Sequence, residues 1–249
     1  MPAPLRMEVE VLNLRTRHPF IIARGGQSDY RTVWVRLIDG DGVEGWGEAA
    51  PARIYGESTE TVLAALQVYG EHLPADPSRP EETERQWEQA LALNPSARVA
   101  LSAALHDLAG KQLGIPVYRL FGLDPARAPR STFTIGIDTV EKLRLKVREA
   151  EAYPILKIKL GTDRDEEILR TIRELTDKEL RVDANTGWTV KQALRMLPVL
   201  EEYGVTVLEQ PLAATDLDGL DVVRQAADIP VIADASCLVA ADLPRLVGR

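Results

Sequence analysis

The chain has 249 residues, 45% hydrophobic and 27% charged, and a formal net charge of −8. That balance is ordinary for a folded globular protein of one large or two smaller domains. It argues against nucleic acid as a partner, because phosphate binding needs clustered Lys and Arg, but leaves room for a small anionic substrate at a local cationic site.

No apolar run approaches the roughly 20 residues that span a bilayer, and Met1-Pro2-Ala3-Pro4-Leu5-Arg6 lacks an apolar signal core. The expectation is a cytoplasmic protein with no membrane partner. One cysteine, Cys237, excludes an internal disulfide framework and agrees with a reducing compartment.

In chain order, Leu5 to Leu14 reads as a strand. Thr32-Val33-Trp34-Val35-Arg36-Leu37 alternates, Asp39-Gly40-Asp41-Gly42 turns, and Val43 to Glu48 returns, which is a hairpin pattern. Helical periods follow from Ser58, from Pro80 to Ala92 and from Ser96 to Leu113, the last with Gly114 beyond its end. Residues 1–125 are therefore expected to form an α+β domain. A linker rich in Pro and Ala, Leu123 to Pro129, marks the boundary to a second domain, 126–249.

From Ser131 the rhythm becomes strand, helix, strand, helix. Strands are predicted at Ser131–Gly136, Leu156–Leu160, Leu180–Asn185, Thr206–Gln210 and Pro230–Ala235. Helices are predicted at Val140–Ala152, Asp165–Leu175, Val190–Tyr203 and Leu217–Ala227. Leu238 to Val247 reads as a further helix. The class is α/β: an α+β module followed by about five βα units that form a parallel sheet or barrel.

Each barrel strand carries a polar residue near its C-terminal end. Thr134, Lys159, Asp183, Glu209 and Asp234 are spaced by 25, 24, 26 and 25 residues, one βα unit each. Barrel active sites are built at that end of the strands, so the five are expected at one level around one mouth. Any single acidic residue there could instead cap the next helix. However, the helices after Asp183 and Glu209 begin several residues later. Three facing carboxylates repel unless a cation lies between them, and an all-oxygen set suits Mg2+ better than Zn2+. His18, His72 and His106 have no metal-ligand spacing.

Lys157 and Lys159 are two apart on a strand and share a face. Side by side in a barrel they should lower each other's pKa, as should burial, which would suit a general base. Both lysines lying in solvent on a surface strand is the alternative. A lysine base beside Mg2+ is chemistry for removing a proton next to a carboxylate.

The motifs Gly45-Trp46-Gly47-Glu48-Ala49-Ala50-Pro51, Lys157-Ile158-Lys159, Val182-Asp183-Ala184-Asn185, Glu209-Gln210-Pro211 and Ala233-Asp234 occur in this order. With them the chain resembles the enolase superfamily, in its muconate-lactonizing and mandelate-racemase-like branch. Thr132 to Asp138 and Pro154 to Gly161 make it look most like dipeptide epimerases of the L-Ala-D/L-Glu type.

The resemblance implies an Mg2+-dependent isomerase that removes the proton α to a carboxylate through an enediolate. The substrate would be a small carboxylate, a dipeptide by this resemblance. Residues 1–125 would be an α+β capping domain that closes over the mouth of a partial TIM-like (β/α) barrel, with the stretches around Arg24 and Tyr55 facing the substrate. Arg24 would pair with a substrate carboxylate, or be an exposed loop arginine. Tyr55 and Thr134 would line the site. Asp183, Glu209 and Asp234 would hold Mg2+, Asn185 would support them, Lys159 would exchange the proton and Lys157 would tune it. The alternatives within the branch are o-succinylbenzoate synthase and a muconate-type cycloisomerase. The alternative outside catalysis is an inactive barrel fragment.

Two features depart from the family. Asp234-Ala235-Ser236 stands where Asp-Glu-Ser is usual. Five strands are present where the family's barrel has about eight. A second catalytic lysine is due about 25 residues past Asp234 by the spacing above, beyond Arg249. The expectation is a C-terminally truncated chain that lacks that lysine, its activity belonging to a longer parent. Sheet edges left open in this way could be covered by another chain, as in a homo-oligomer.

Overall fold

A computed structural model describes residues 5–248. The chain divides into two compact units. One is Met1–Arg15 with Asp29–Ala128, the other Thr16–Ser28 with Pro129–Arg249.

The first unit is built on an antiparallel sheet in the order β1 (Arg6–Ile22), β2 (Gly25–Ile38), β3 (Glu44–Ala49). β2 and β3 pair from Val33 opposite Ala49 to Ile38 opposite Glu44. Asp39 closes their turn by accepting from the N–H groups of Asp41 and Val43. Alternation sends Val33, Val35 and Leu37 to the buried face. Three longer helices follow: α1 (Thr59–Gly70), α2 (Pro80–Ala90) and α3 (Pro95–Leu113). A capping box between Ser58 and Thr61 starts α1.

Helix α3 lies directly on β3. A Cβ at Gly45 would sit 2.1 Å from the Ala104 carbonyl oxygen, and one at Gly47 would sit 1.9 Å from that of Ala100. The two glycines of the Gly-Trp-Gly motif are what lets helix and strand approach. A four-residue helix, α4 (Val117–Leu120), ends the unit's helical part.

β1 runs well past the expected end at Leu14. Charged Arg15 and Arg17, with Pro19, obscure the alternation, and a proline is tolerated because β1 is an edge strand. β1 and β2 thus form one long hairpin that turns at Ala23 and Arg24 into Gly25, whose φ of 109° suits glycine.

The second unit holds a five-stranded parallel sheet in the order β4 (Thr132–Ile135), β5 (Ile155–Lys159), β6 (Glu179–Asp183), β7 (Val205–Glu209), β8 (Val231–Ile232). Between the strands run α5 (Val140–Glu149), α6 (Asp165–Arg173), α7 (Val190–Glu202) and α8 (Leu217–Ala226). Leu156, Ile158, Leu180, Val182 and Leu208 share one core with Leu143, Ile168, Leu169, Leu200 and Val223 of the helices. Burial of each such side chain stabilises by roughly 1.5–3 kcal/mol. The other face of the strands carries Thr134, Lys157, Lys159, Arg181, Asp183 and Glu209. The helix expected over Leu238 to Val247 is absent. A 3-10 turn (Ala240–Asp242) gives way to α9 (Leu243–Leu246), because Pro244 has no N–H and fits only a helix's first turn.

Candidate active site

In the ladder Lys159 pairs with Asp183, and Asp183 with Glu209. These three stand level, as the spacing predicts. The other two do not. Thr134 pairs with Lys157, one pleat lower. Glu209 pairs with Ile232, so Asp234 lies two residues beyond the level, past the end of the short β8. Equal sequence spacing hides these steps, because the loops between strands differ in length.

The side chains at this level form a charge network. Lys159 Nζ donates to Asp183 Oδ2 at 2.6 Å, both side chains being buried. Lys157 Nζ donates to Glu209 Oε1 at 2.7 Å and lies 3.1 Å from Asp183 Oδ2. Burial opposes ionisation of Asp183. The hydrogen bond from Lys159, the charges of both lysines and the N–H of Asn185 outweigh it and hold the carboxyl below its usual value. For Glu209 burial, with the neighbouring Asp183 charge, prevails over Lys157 and pushes the carboxyl up. Lys157 corrects the expectation of a lowered amine. Burial pulls it down, but Glu209 and Asp183 together raise it above the ordinary lysine value. The two-lysine argument left out the carboxylates of the neighbouring strands.

Beyond the strand ends the backbone is strained. Asn185, Thr186 and Gln210 all have positive φ, at 44°, 66° and 35°. Such non-glycine conformations cost about 1–3 kcal/mol each and cluster at functional sites. Asn185 donates its N–H to Asp183 Oδ1 at 2.9 Å, and its own Oδ1 is buried without a hydrogen-bond partner.

The hairpin tip, Thr16–Ser28, packs on this unit. Ile137 N–H donates to Ile21 O at 2.9 Å, and His18 Nε2 meets Glu149 Oε2 at 2.7 Å. The Phe20 ring centre lies 5.9 Å from Lys159 Nζ. Exposed Arg24 donates from Nη1 to Asn185 O at 3.1 Å and to Thr186 Oγ1 at 3.3 Å. Arg24 therefore stands beside the strand ends, exposed at the hairpin turn. Tyr55 belongs to the first unit, where it is exposed in a 3-10 turn, Arg53–Tyr55. Sequence reasoning missed Phe20. Its signal was the continuation of β1 past Leu14.

Among the described residues no three His, Cys, Asp or Glu side chains converge closely enough to grip a metal ion. Asp234 makes no ion pair or side-chain hydrogen bond with the described residues, while Asp183 and Glu209 share the ammonium of Lys157. Asp183 and Glu209, already organised about one cation, suit a small, hard, oxygen-preferring dication, while Asp234, past the end of β8, does not close on them here.

Comparison with known proteins agrees with the fold. Residues 6–122 match the mandelate racemase/muconate lactonizing enzyme N-terminal domain, and residues 139–249 match the enolase C-terminal domain-like family. The chain belongs to this branch of the enolase superfamily. It is 38% identical over 98% of its length to the L-Ala-D/L-Glu epimerase of Bacteroides thetaiotaomicron, and 32% identical over 97% to an L-Ala-D/L-amino acid epimerase of Maribacter. It spans 64% and 71% of those two proteins. Among solved structures it is similar to a dipeptide epimerase of Cytophaga hutchinsonii complexed with Mg and D-Ala-L-Val. That match has a TM-score of 0.90 and 29% identity, and covers 99% of this chain and 69% of the other. It is also similar to the muconate lactonizing enzyme of Pseudomonas fluorescens, with a TM-score of 0.88 and 26% identity, over 98% of this chain and 70% of that one. No helix among the described residues is long and apolar enough to cross a membrane.

Proposed function

We propose that the chain carries the metal-binding and proton-abstracting half of an Mg2+-dependent dipeptide epimerase, with L-Ala-L-Glu or a similar dipeptide as substrate. The observation that carries this reading is the level of Lys159, Asp183 and Glu209 on three adjacent strands, with Lys157 bridging the two carboxylates. The epimerase relatives and their Mg-containing structures support it.

In this reading Asp183, Glu209 and Asp234 would hold Mg2+, which would supply charge neutralisation at the substrate carboxylate. Asn185 steadies Asp183 through its N–H. Lys159 removes the α-proton and leaves an enediolate. Lys157 bridges Glu209 and Asp183 in the resting site and tunes the charge around Lys159. Arg24, beside the Asn185 turn, faces the substrate's side-chain carboxylate, and Thr134 lines the site.

The test is NMR of L-Ala-L-Glu in D2O with Mg2+. Loss of the Glu α-proton signal is expected, and Lys159→Ala should slow it at least about 100-fold. Exchange that is unchanged in Lys159→Ala overturns the assignment of the base.

A further inference from the structure

Gln210 has the environment of a built-in strut. It follows Glu209 directly, is completely buried, and has a φ of 35°, in the region where side chains other than glycine are uncommon. Its side-chain amide is fully used. Oε1 accepts from the N–H of Asp234 at 2.8 Å and from that of Ser236 at 3.1 Å. Nε2 donates to Ser236 Oγ at 2.8 Å and to Leu212 O at 3.0 Å. Two N–H groups on one oxygen and two acceptors on one nitrogen fix which way the amide points. Ser236, itself buried, passes the connection on by donating to Ala214 O at 2.9 Å.

This arrangement answers a problem posed by β8. That strand is two residues long and pairs with β7 only at Val231 and Ile232. Asp234 lies past its end, where strand pairing cannot hold it. The main-chain tie from Gln210 to β8, its N–H to Ile232 O at 2.9 Å, stops two residues short of Asp234. Beyond that point the side chain of Gln210 takes over from the sheet and holds the backbone of Asp234 and Ser236.

We infer that Gln210 is a positioning residue for the metal site, holding the backbone of Asp234 at a set place relative to Glu209, with Ser236 as its relay. This rests on the reading of Glu209 and Asp234 as Mg2+ ligands. Gln210 itself offers the metal nothing, since both its polar atoms are spent on the strut.

The experiment is calorimetric Mg2+ titration of the full chain, with a parallel urea melt in the absence of Mg2+. The variants are Gln210→Leu, Gln210→Glu, Ser236→Ala and Asp234→Ala. Gln210→Leu keeps the bulk and removes all four bonds. Loss of groups that orient metal ligands typically weakens metal binding about 10–100-fold, and that loss is expected here. Gln210→Glu keeps both acceptor contacts and should fall between wild type and Gln210→Leu. Ser236→Ala should weaken binding in the same direction by less, and it decides the matter if Gln210→Leu does not fold. A merely structural role would lower urea stability and leave the Mg2+ affinity of the folded protein unchanged. If that is seen in the Gln210 and Ser236 variants while Asp234→Ala loses binding, the strut is overturned and the metal reading stands. If wild type binds no Mg2+, or Asp234→Ala binds it as well as wild type does, the metal reading fails and the strut fails with it.

Discussion

Lys159 and Asp183 form a buried ion pair across neighbouring strands, 2.6 Å from Nζ to Oδ2, in which the lysine has one carboxylate partner and the aspartate has two ammonium partners. The asymmetry predicts unequal substitutions. Asp183→Asn strands Lys159 without a carboxylate and should cost about 3–5 kcal/mol of stability in Mg2+-free urea melts. Lys159→Met leaves Asp183 paired with Lys157 and should cost less, about 1.5–3 kcal/mol. Equal losses would show that Lys157 does not share the charge.

The same network fixes a pH dependence. Asp183 is held below its ordinary value, so its contribution is present above about pH 3.9 and is lost as pH falls from there through the lower folded value. Lys157 is raised, so its contribution is present below about pH 10.4 and is lost as pH climbs through the higher folded value. Glu209 is raised and acts in the opposite sense, costing stability once pH passes about 4.3. Thermal melts without Mg2+ should therefore fall away at both extremes. Asp183→Asn should flatten the acid limb below about pH 4, and an unchanged acid limb in that variant would refute the assignment.

The hairpin tip is held by a close contact that tolerates no side chain. A Cβ at Gly161, where φ is 105°, would meet the Ala23 Cβ at 2.6 Å and the Ala184 carbonyl oxygen at 2.7 Å. Gly161→Ala combines an unfavourable backbone with overpacking, and should destabilise by at least about 3 kcal/mol. Amide hydrogen exchange at Ile137, whose N–H bonds Ile21 O, should quicken in that variant. An Ile137 amide as protected as in wild type would separate Gly161 from hairpin docking.

Arg24 spends one guanidinium nitrogen on the Asn185–Thr186 turn. If another binds the substrate's side-chain carboxylate, Arg24→Ala should slow α-proton exchange of L-Ala-L-Glu by roughly tenfold or more. L-Ala-L-Ala, with no such carboxylate, should lose much less. A uniform loss on both dipeptides would assign Arg24 to supporting the turn alone.

The βα rhythm was legible because each barrel strand is a short apolar run followed by an amphipathic helix. Strands β4 to β7 fall within a residue or two of their predicted bounds. What the sequence could not carry was height in the sheet. Thr134 and Asp234 share the spacing of Lys159, Asp183 and Glu209 but sit a pleat below and two residues beyond them. Charge compensation was also illegible. The lysines were weighed against each other, whereas their energetics are set by Asp183 and Glu209 on strands 24 to 52 residues away. Gln210 was visible only as a letter in Glu-Gln-Pro. Its work depends on a two-residue β8 that looked like a six-residue strand.

The β1–β2 hairpin gives its tip to one unit and its base to the other. Arg24 and Phe20 are thus encoded more than 100 residues before Lys159, yet fold beside it as part of the same body. In evolutionary terms, if Arg24 reads the substrate and Lys159 moves the proton as proposed, recognition and chemistry can drift separately. A graft of Thr16–Ser28 would then carry the preference with it and leave the β5 lysines as they were.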